Sequence, residues 1–195
     1  MIDRRHFLVS GLGALATPAI AQSTNAPAET AAPEAWTPDP IMPRVVRLEQ
    51  PLAPGEVHVD PATFSLYWTL PGNRAIRYAV GIGRGNLYES GEFYVGAKKV
   101  WPSWTPTTEM IERDPDQYLQ FKDGVPGGPD NPLGARALYL FVPGRGDTYL
   151  RIHGTNAPRT IGTAVSNGCV RLINPQIQHL YEQVPLNTRV VLGAK

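Results

Sequence analysis

The sequence contains very little cysteine and no strong excess of charge of either sign. Cys169 is the only cysteine among 195 residues, so the chain forms no internal disulfide and no zinc site built from clustered cysteines. Lys and Arg total 18 and Asp and Glu total 17, giving a formal net charge of +1. This balance excludes the positive surface typical of nucleic-acid-binding proteins. Cys169 is therefore a core residue, a partner in an intermolecular bridge, or a reactive thiol.

The N-terminus lacks an apolar run long enough to cross a membrane. Its apolar stretch runs only from Phe7 to about Leu15, after Arg4 and Arg5 and before the small-residue site Ala19-Ile20-Ala21. This pattern predicts a secretory signal peptide over residues 1–21 and no transmembrane segment in the mature chain. The paired arginines followed by His-Phe-Leu resemble a twin-arginine export signal; an ordinary signal peptide is the alternative. Both kinds of signal peptide predict a location outside the cytoplasm.

Residues 22–43 are rich in proline and alanine and predict a semi-extended linker, whereas residues 44–195 have the composition of one folded domain. With 20 prolines and 19 glycines, long helices are disfavoured and short strands joined by turns are favoured. The segments with strand composition are 44–49, 56–59, 63–69, 74–82, 91–95, 137–142, 147–153 and 188–192. We therefore predict a mainly β domain, a sandwich or barrel.

One C-terminal helix is expected, with Asn174 as its N-cap and Pro175 at the first helical position. Its apolar residues at helical spacing are Ile177, Leu180, Tyr181 and Val184. A weaker helical pattern lies within 107–119. The surrounding segment 96–136 is rich in Trp, Pro and Gly and predicts a long loop, which in a small domain usually has a function.

No cofactor or metal site is predicted. The run from Gly81 to Gly85 lacks the glycine spacing and the following helix of a dinucleotide fingerprint, so it predicts a strand end and turn. His58 and His179 are interpreted as surface or boundary residues, since no HxH or HExxH spacing occurs.

His153 and Cys169 are the residues that could carry chemistry. In segment 147–153, Leu150 and Ile152 alternate with polar residues, which predicts His153 at the strand end on the polar face. Cys169 follows Gly168, and a glycine turn permits close approach of a substrate and presents backbone N–H groups. An imidazole beside the thiol would form a thiolate–imidazolium pair and shuttle protons. A buried, unreactive cysteine is the alternative.

Three motifs resemble one family. The sequence reads Ile-His-Gly-Thr-Asn at 152–156, Ile-Gly at 161–162 and Val-Ser-Asn-Gly-Cys-Val-Arg-Leu at 165–172. Their order and spacing resemble the signature of YkuD-type L,D-transpeptidases (the ErfK/YbiS/YcfS/YnhG group). Asn-Pro-Leu-Gly at 131–134 before a strand is similar too. The resemblance covers about 44–192 and implies a single YkuD-like domain.

The resemblance implies a role for each motif residue. Cys169 would attack the bond between diaminopimelate and the terminal D-alanine of a peptidoglycan tetrapeptide stem. His153 would be the general base and acid, oriented by the Gly154 carbonyl. Backbone N–H groups of Gly168 and Cys169 would bind the oxyanion. Arg171 would either brace the loop or meet a substrate carboxylate.

Ser166 and Asn167 belong to the same motif as supporting residues. Many family members have histidine where this chain has Asn167, which hydrogen-bonds but cannot titrate. Since the base of the family matches His153, we expect the catalytic pair to be retained.

The acyl acceptor stays open at this stage. A second stem would give a 3→3 cross-link in the periplasm and serve cell-wall biogenesis and cell shape. An outer-membrane protein amine would give a protein attached to peptidoglycan. Water would make the enzyme an L,D-carboxypeptidase or endopeptidase. A non-catalytic peptidoglycan-binding module is the remaining alternative, and the presence of both His153 and Cys169 speaks against it.

Overall fold

The structure is a computed structural model and describes residues 42–195. The predicted signal peptide and all but the last two residues of the predicted linker lie outside the described residues. The strands are β1 (Arg44–Arg47), β2 (Val57–Asp60), β3 (Ser65–Leu70), β4 (Arg74–Ala79), β5 (Ile82–Gly83), β6 (Gly91–Val100), β7 (Arg136–Val142), β8 (Gly146–His153), β9 (Ala164–Ser166), β10 (Val170–Arg171) and β11 (Arg189–Leu192). The α-helices are α1 (Thr108–Arg113), α2 (Pro115–Tyr118) and α3 (Asn174–Gln183). The mainly β fold predicted from the sequence is confirmed.

Nine strands form one mixed sheet in the order β1-β4-β3-β2-β11-β6-β7-β8-β10, and β5 pairs with β9 in a small second sheet. Six of the eight neighbouring pairs in the large sheet are antiparallel. The exceptions are β11 beside β2 and β10 beside β8, which run parallel. The C-terminal strand β11 thus lies at the centre of the sheet, and the short strand β10 forms the edge next to β8.

The core lies on one face of the large sheet and is closed by α3. Strand residues such as Leu66, Leu138 and Ile152 are fully buried, as are Ile177 and Leu180 of α3. The apolar spacing of α3 puts these two side chains on one helix face. The prediction of a C-terminal helix is confirmed.

The predicted cap of α3 is wrong by one position. Ile173 occupies the N-cap and makes no side-chain cap bond, and Asn174 is already helical. The Asn174 side chain instead accepts a hydrogen bond from the backbone N–H of Ala135 at 2.9 Å. This hydrogen bond connects α3 to the segment that precedes β7. The Asn174 side chain therefore binds a distant backbone N–H instead of one in the first turn of its own helix.

The predicted long loop 96–136 is shorter and contains helices. Strand β6 extends to Val100, so the connection between β6 and β7 runs over 101–135. The helical pattern within 107–119 is confirmed as α1 and α2, which are separated at Asp114, directly before Pro115. Within residues 42–195, no helix is long and apolar enough to span a bilayer.

Strand β1 forms one edge of the large sheet, paired only with β4 in the part of the chain that the structure describes. Its register puts arginine opposite arginine twice, Arg44 beside Arg77 and Arg47 beside Arg74. Like charges placed directly opposite each other disfavour the pairing, so apolar contacts and backbone hydrogen bonds hold this strand in place.

Candidate active site

Cys169 and His153 come together because β10 runs parallel to β8. In this pair Val170 lies beside Ile152 and Arg171 beside His153. Val170 and Ile152 are fully buried in the core, so alternation directs Cys169, Arg171 and His153 to the opposite face. Cys169 and His153 are thus diagonal neighbours on one face, although 16 positions separate them in the sequence.

The backbone around this pair is fixed on both sides. The N–H of Leu172 donates to the His153 carbonyl at 2.9 Å, and Gly81 and Arg171 exchange two backbone hydrogen bonds of 2.9 and 2.8 Å. The predicted strand 74–82 is therefore interrupted: β4 ends at Ala79, and Gly81 turns to pair with Arg171. The run 81–85, predicted as a strand end and turn, instead contains the separate short strand β5 and the first residue of a 3-10 helix over Gly85–Leu87.

The imidazole of His153 is buried, with 4% of its surface exposed. Its polar-face position was predicted, but the ring is buried rather than presented to solvent. Nδ1 lies 2.6 Å from the Gly154 carbonyl, and since a carbonyl only accepts, Nδ1 carries the proton and Nε2 is the basic nitrogen. Burial lowers the pKa of His153 to about 3, although the Gly154 carbonyl favours the protonated ring.

The thiol of Cys169 is half-buried in a turn between β9 and β10. Its Sγ contacts the backbone carbonyl of Tyr149 at 3.8 Å. Burial raises the pKa of the thiol, and the positive charges of Arg151 and Arg171 act against that rise. Burial thus disfavours the charged form of both groups.

Ser166 and Gly168 shape the turn that carries Cys169. The Ser166 hydroxyl donates to the Cys169 carbonyl at 2.6 Å. Gly168 has φ +117°, and a Cβ there would lie 2.8 Å from the carbonyl oxygen of Leu87. Only glycine fits this position, which has both a positive φ and a backbone neighbour. Among residues 42–195, neither Gly168 nor Cys169 uses its N–H in a hydrogen bond, which leaves two adjacent donors.

Asn167 connects the Cys169 turn to the two short helices. Its Nδ2 donates to the Tyr118 hydroxyl at 2.6 Å, and its Oδ1 accepts from Nη2 of Arg113 at 2.7 Å. Arg84 and Asp114 form an ion pair at the same junction. The helical part of the 101–135 connection is thereby fixed against the site.

Trp104 and Trp101, whose roles the sequence left open, differ in their surroundings. Trp104 is half-buried, and its ring packs edge-on against Tyr118 and Phe121 at centroid distances of 6.2 and 5.9 Å. Trp101 is 39% exposed. Trp104 thus packs within the connection, whereas Trp101 lies at its surface.

Sequence reasoning missed several residues around the thiol. Arg151 lies beside it with two hydrogen bonds to Asp147, and Tyr149 is 73% exposed with φ +63°. Arg113 and Tyr118 reach the site from the connection. The Trp- and Pro-rich composition of 101–135 predicted a functional segment, but no local pattern identified these partners.

His58 and His179, the other two histidines within residues 42–195, lie outside this site, as interpreted from the sequence. His58 pairs with Glu56 at 2.8 Å on the sheet surface, and Nδ1 of His179 lies 2.8 Å from the Tyr78 hydroxyl. Within residues 42–195, no group of three or more His, Cys, Asp or Glu side chains is arranged to hold a metal ion.

Comparisons with known proteins agree with the fold and the motifs. Residues 54–192 match the family model described as YkuD, L,D-transpeptidase catalytic domain. The chain is 40% identical over 149 residues to "Probable L,D-transpeptidase YbiS" of Escherichia coli K12, a match that covers 73% of this chain and 47% of that protein. The chain thus spans about half the length of the curated E. coli relatives it matches.

Solved structures share the fold. A Brucella melitensis protein described as a probable carnitine operon oxidoreductase is 46% identical, with a TM-score of 0.53, covering 76% of this chain and 91% of that one. L,D-transpeptidase 3 of Mycobacterium tuberculosis has a TM-score of 0.53 at 16% identity, covering 71% of this chain and 60% of that one, and shows likeness of fold only.

Proposed function

Because this chain belongs to the family of YkuD-type L,D-transpeptidase catalytic domains, we propose that it is a cysteine-dependent acyltransferase acting on peptidoglycan stem peptides. The observation that supports this most strongly is the parallel pairing of β10 with β8, which places Arg171 beside His153 and leaves Cys169 in the turn directly before β10. The hydrogen bond from Nδ1 of His153 to Gly154 leaves Nε2 as the base.

The first half-reaction transfers the stem to the thiol. As Sγ of Cys169 attacks the carbonyl of diaminopimelate, the thiol proton passes to His153. The C–N bond to D-alanine breaks, and the leaving amine takes that proton. Because burial disfavours the charged form of both groups, we propose that proton transfer accompanies the attack rather than preceding it. The product is a thioester on Cys169 and free D-alanine.

The turn supplies the stabilisation of the intermediate. The N–H groups of Gly168 and Cys169 donate to the oxyanion, since both lack another acceptor in the described chain. The Ser166 hydroxyl donates a hydrogen bond to the Cys169 carbonyl. This bond fixes the backbone of the turn and with it the orientation of the two N–H groups. Preorganised donors of this kind are worth about 10²–10³-fold in rate per donor.

The second half-reaction passes the acyl group to an amine. The side-chain amine of diaminopimelate on a second stem attacks the thioester, loses a proton to His153, and forms a 3→3 cross-link as the thiol is restored. A protein amine would follow the same steps. We favour an amine over water because the covered position of His153 excludes bulk solvent from the base.

We also propose that the enzyme works in the periplasm. The basis is the sequence pattern of residues 1–21 with Arg4 and Arg5. Fractionation of cells expressing the full chain tests this proposal, with Arg4→Lys and Arg5→Lys combined. Retention of the double variant in the cytoplasm supports twin-arginine export; unchanged export supports an ordinary signal peptide, and a cytoplasmic wild type contradicts export altogether.

Intact-protein mass spectrometry tests the catalytic proposal. Reduced protein is incubated with a carbapenem and, separately, with a tetrapeptide stem, beside Cys169→Ala. We expect a covalent adduct and D-alanine release with the wild type only. Mass analysis of the stem products then identifies the acceptor: a cross-linked dimer for an amine, a tripeptide for water. Folded, reduced wild type without adduct or release would indicate a non-catalytic binding module.

A further inference from the structure

Strand β8 is interrupted by a bulge beside the proposed nucleophile. In the pairing of β8 with β7 the register shifts, so that residues 148–150 face only Leu140. Bulges are frequent next to active sites, where they redirect groups out of the regular ladder. This bulge turns the backbone carbonyl of Tyr149 toward Cys169, whose Sγ lies 3.8 Å from the carbonyl oxygen.

The backbone at the centre of the bulge is strained. Tyr149 has φ +63°, a region that glycine adopts easily and that a bulky residue adopts only at a cost in free energy. Packing of the aromatic ring does not impose this conformation, because the residue is 73% exposed. Other contacts therefore hold the bulge, and strain that persists beside a reactive group points to a functional constraint.

Two neighbouring side chains supply those contacts. Oδ1 of Asp147 accepts a hydrogen bond from the Tyr149 N–H at 2.9 Å. The buried hydroxyl of Thr148 accepts from the Leu150 N–H at 3.2 Å and donates to the Leu140 carbonyl at 2.7 Å. These three backbone groups lie where the register of the two strands shifts. The two side chains thus satisfy backbone groups that an uninterrupted ladder would pair with each other.

Asp147 also orients the positive charge beside the thiol. Its two carboxylate oxygens accept from Nη1 and Nη2 of Arg151 at 2.6 and 2.8 Å, a bidentate pair with a defined geometry. Burial raises the pKa of the Cys169 thiol, whereas a hydrogen bond from the Arg151 backbone and the charge of Arg151 lower it. One carboxylate therefore fixes two neighbours of the sulfur, the Tyr149 carbonyl and the Arg151 guanidinium.

Building on the proposed function, we propose that Asp147 and Thr148 are positioning residues for the acyl transfer. They hold the bulge so that the Tyr149 carbonyl accepts the S–H of Cys169 and fixes the direction of the sulfur before it attacks. Such a bond is weak and needs the protonated thiol, the form that burial favours. It is released when the thiol proton passes to His153. Neither positioning residue takes part in bond making.

Infrared spectroscopy tests the contact directly. The S–H stretching band falls in a region where proteins otherwise absorb little, and Cys169 is the only cysteine in the chain. Subtracting the spectrum of Cys169→Ala therefore isolates the band of one thiol, measured in reduced protein at slightly acidic pH. Since hydrogen bonding weakens the S–H bond, we expect the wild-type band at lower wavenumber than that of a cysteine ester in an apolar solvent.

Two variants test the positioning role. Asp147→Ala and Thr148→Val should each move the S–H band to higher wavenumber. Both should slow carbapenem acylation and D-alanine release by about 10- to 100-fold, the effect of a small misplacement of a reacting group. The loss should fall on kcat with KM little changed, because the thiol is displaced and the substrate contacts are not. Asp147→Asn keeps an acceptor for the Tyr149 N–H and should recover part of both readouts.

Asp60 offers a matched control. Its carboxylate accepts from the N–H of Ala62 at 3.0 Å and from the hydroxyl of Thr63 at 2.6 Å, so it stabilises a turn in the same way as Asp147 but at the end of β2. Asp60→Ala should keep the wild-type S–H band and the wild-type acylation rate.

Three results would overturn the proposal. The first is a wild-type S–H band at the position of an unbonded thiol, which decides the question even if the variants fail to fold. The second is an unchanged band in folded Asp147→Ala and Thr148→Val. The third is a shifted band with an unchanged acylation rate, because the contact would then not serve the reaction.

The proposed function is tested separately. Each of these three results leaves Cys169-dependent adduct formation intact and does not affect the assignment as an acyltransferase. Wild type that forms no adduct would instead contradict the acyltransferase and, with it, the role of Asp147 and Thr148 in acyl transfer.

Discussion

The side chain of Asn167 donates a hydrogen bond to the hydroxyl of Tyr118 at 2.6 Å, across 49 residues of sequence. The same side chain accepts from Arg113. The turn that carries Cys169 and the helices of the 101–135 connection are thus joined through one residue. Many family members have histidine here, so this position in our chain serves as a link that does not titrate.

Replacing Asn167 by Ala should loosen the helices without unfolding the sheet. Loss of two partly exposed hydrogen bonds is expected to cost about 1 kcal/mol of unfolding free energy. Amide exchange in residues 108–121 should accelerate, as hydrogen-exchange mass spectrometry would show. Gln117→Ala, an exposed change on α2, is the control. Equal exchange in the two variants would contradict the linking role.

The buried imidazole of His153 predicts how stability depends on pH. Burial lowers its folded-state pKa to about 3, below the value of about 6.5 expected in the unfolded chain. Between these values the unfolded chain binds the extra proton, so stability falls as pH decreases from about 6.5 towards 3, by on the order of 1 kcal/mol per pH unit. Urea titrations at pH 4, 5, 6 and 7 measure this slope. His153→Gln should flatten it, and an unchanged slope would show that other groups cause it.

The burial of Cys169 predicts slow alkylation of its thiol at neutral pH. Since burial raises the pKa of Cys169, its alkylation rate should climb about tenfold per pH unit from pH 6 to 8. Iodoacetamide labelling followed by mass spectrometry measures this rate, with a free cysteine peptide as reference. His153→Ala should show the same pH dependence. A plateau near pH 6 that His153→Ala abolishes would instead demonstrate a preformed thiolate–imidazolium pair.

Gly168 and Gly162 form a matched pair for testing the oxyanion turn. Both have positive φ, +117° and +82°, but only at Gly168 would a Cβ meet backbone, the Leu87 carbonyl at 2.8 Å. Gly162→Ala should cost about 1 kcal/mol from conformation alone. Gly168→Ala should cost roughly 3 kcal/mol or more, or shift the turn, and should abolish carbapenem acylation. Thermal unfolding and adduct formation measure both effects. Equal losses in the two variants would mean that the contact with Leu87 is unimportant.

The sequence was informative where local chemistry decides the outcome. Alternating strands, the apolar face of α3 and the glycine before Cys169 follow from residue-level rules, and the structure shows them. The strand β10 escaped notice because two residues carry no periodicity. The cap at Asn174 was mistaken because its true partner, Ala135, lies 39 positions away.

The surroundings of the predicted catalytic pair could not be obtained in the same way. The burial of His153 and the positive charges of Arg151 and Arg171 near Cys169 depend on tertiary packing, which sequence spacing does not reveal. The sequence motifs predicted that Cys169 and His153 lie close together. They did not reveal the burial that disfavours the charged form of each group. The bulge of β8 likewise becomes visible only when its partner strand β7 is in place.

The arginine-lined edge strand β1 also bears on self-association. An open strand edge offers N–H and C=O groups to which another copy could add its own strand. Here Arg44 and Arg47 already face Arg77 and Arg74, so an identical β1 docking at this edge would bring further arginines beside four existing ones. Repulsion of this kind opposes edge-to-edge aggregation. The unfavourable pairing within the sheet thus disfavours polymerisation of the domain through this edge.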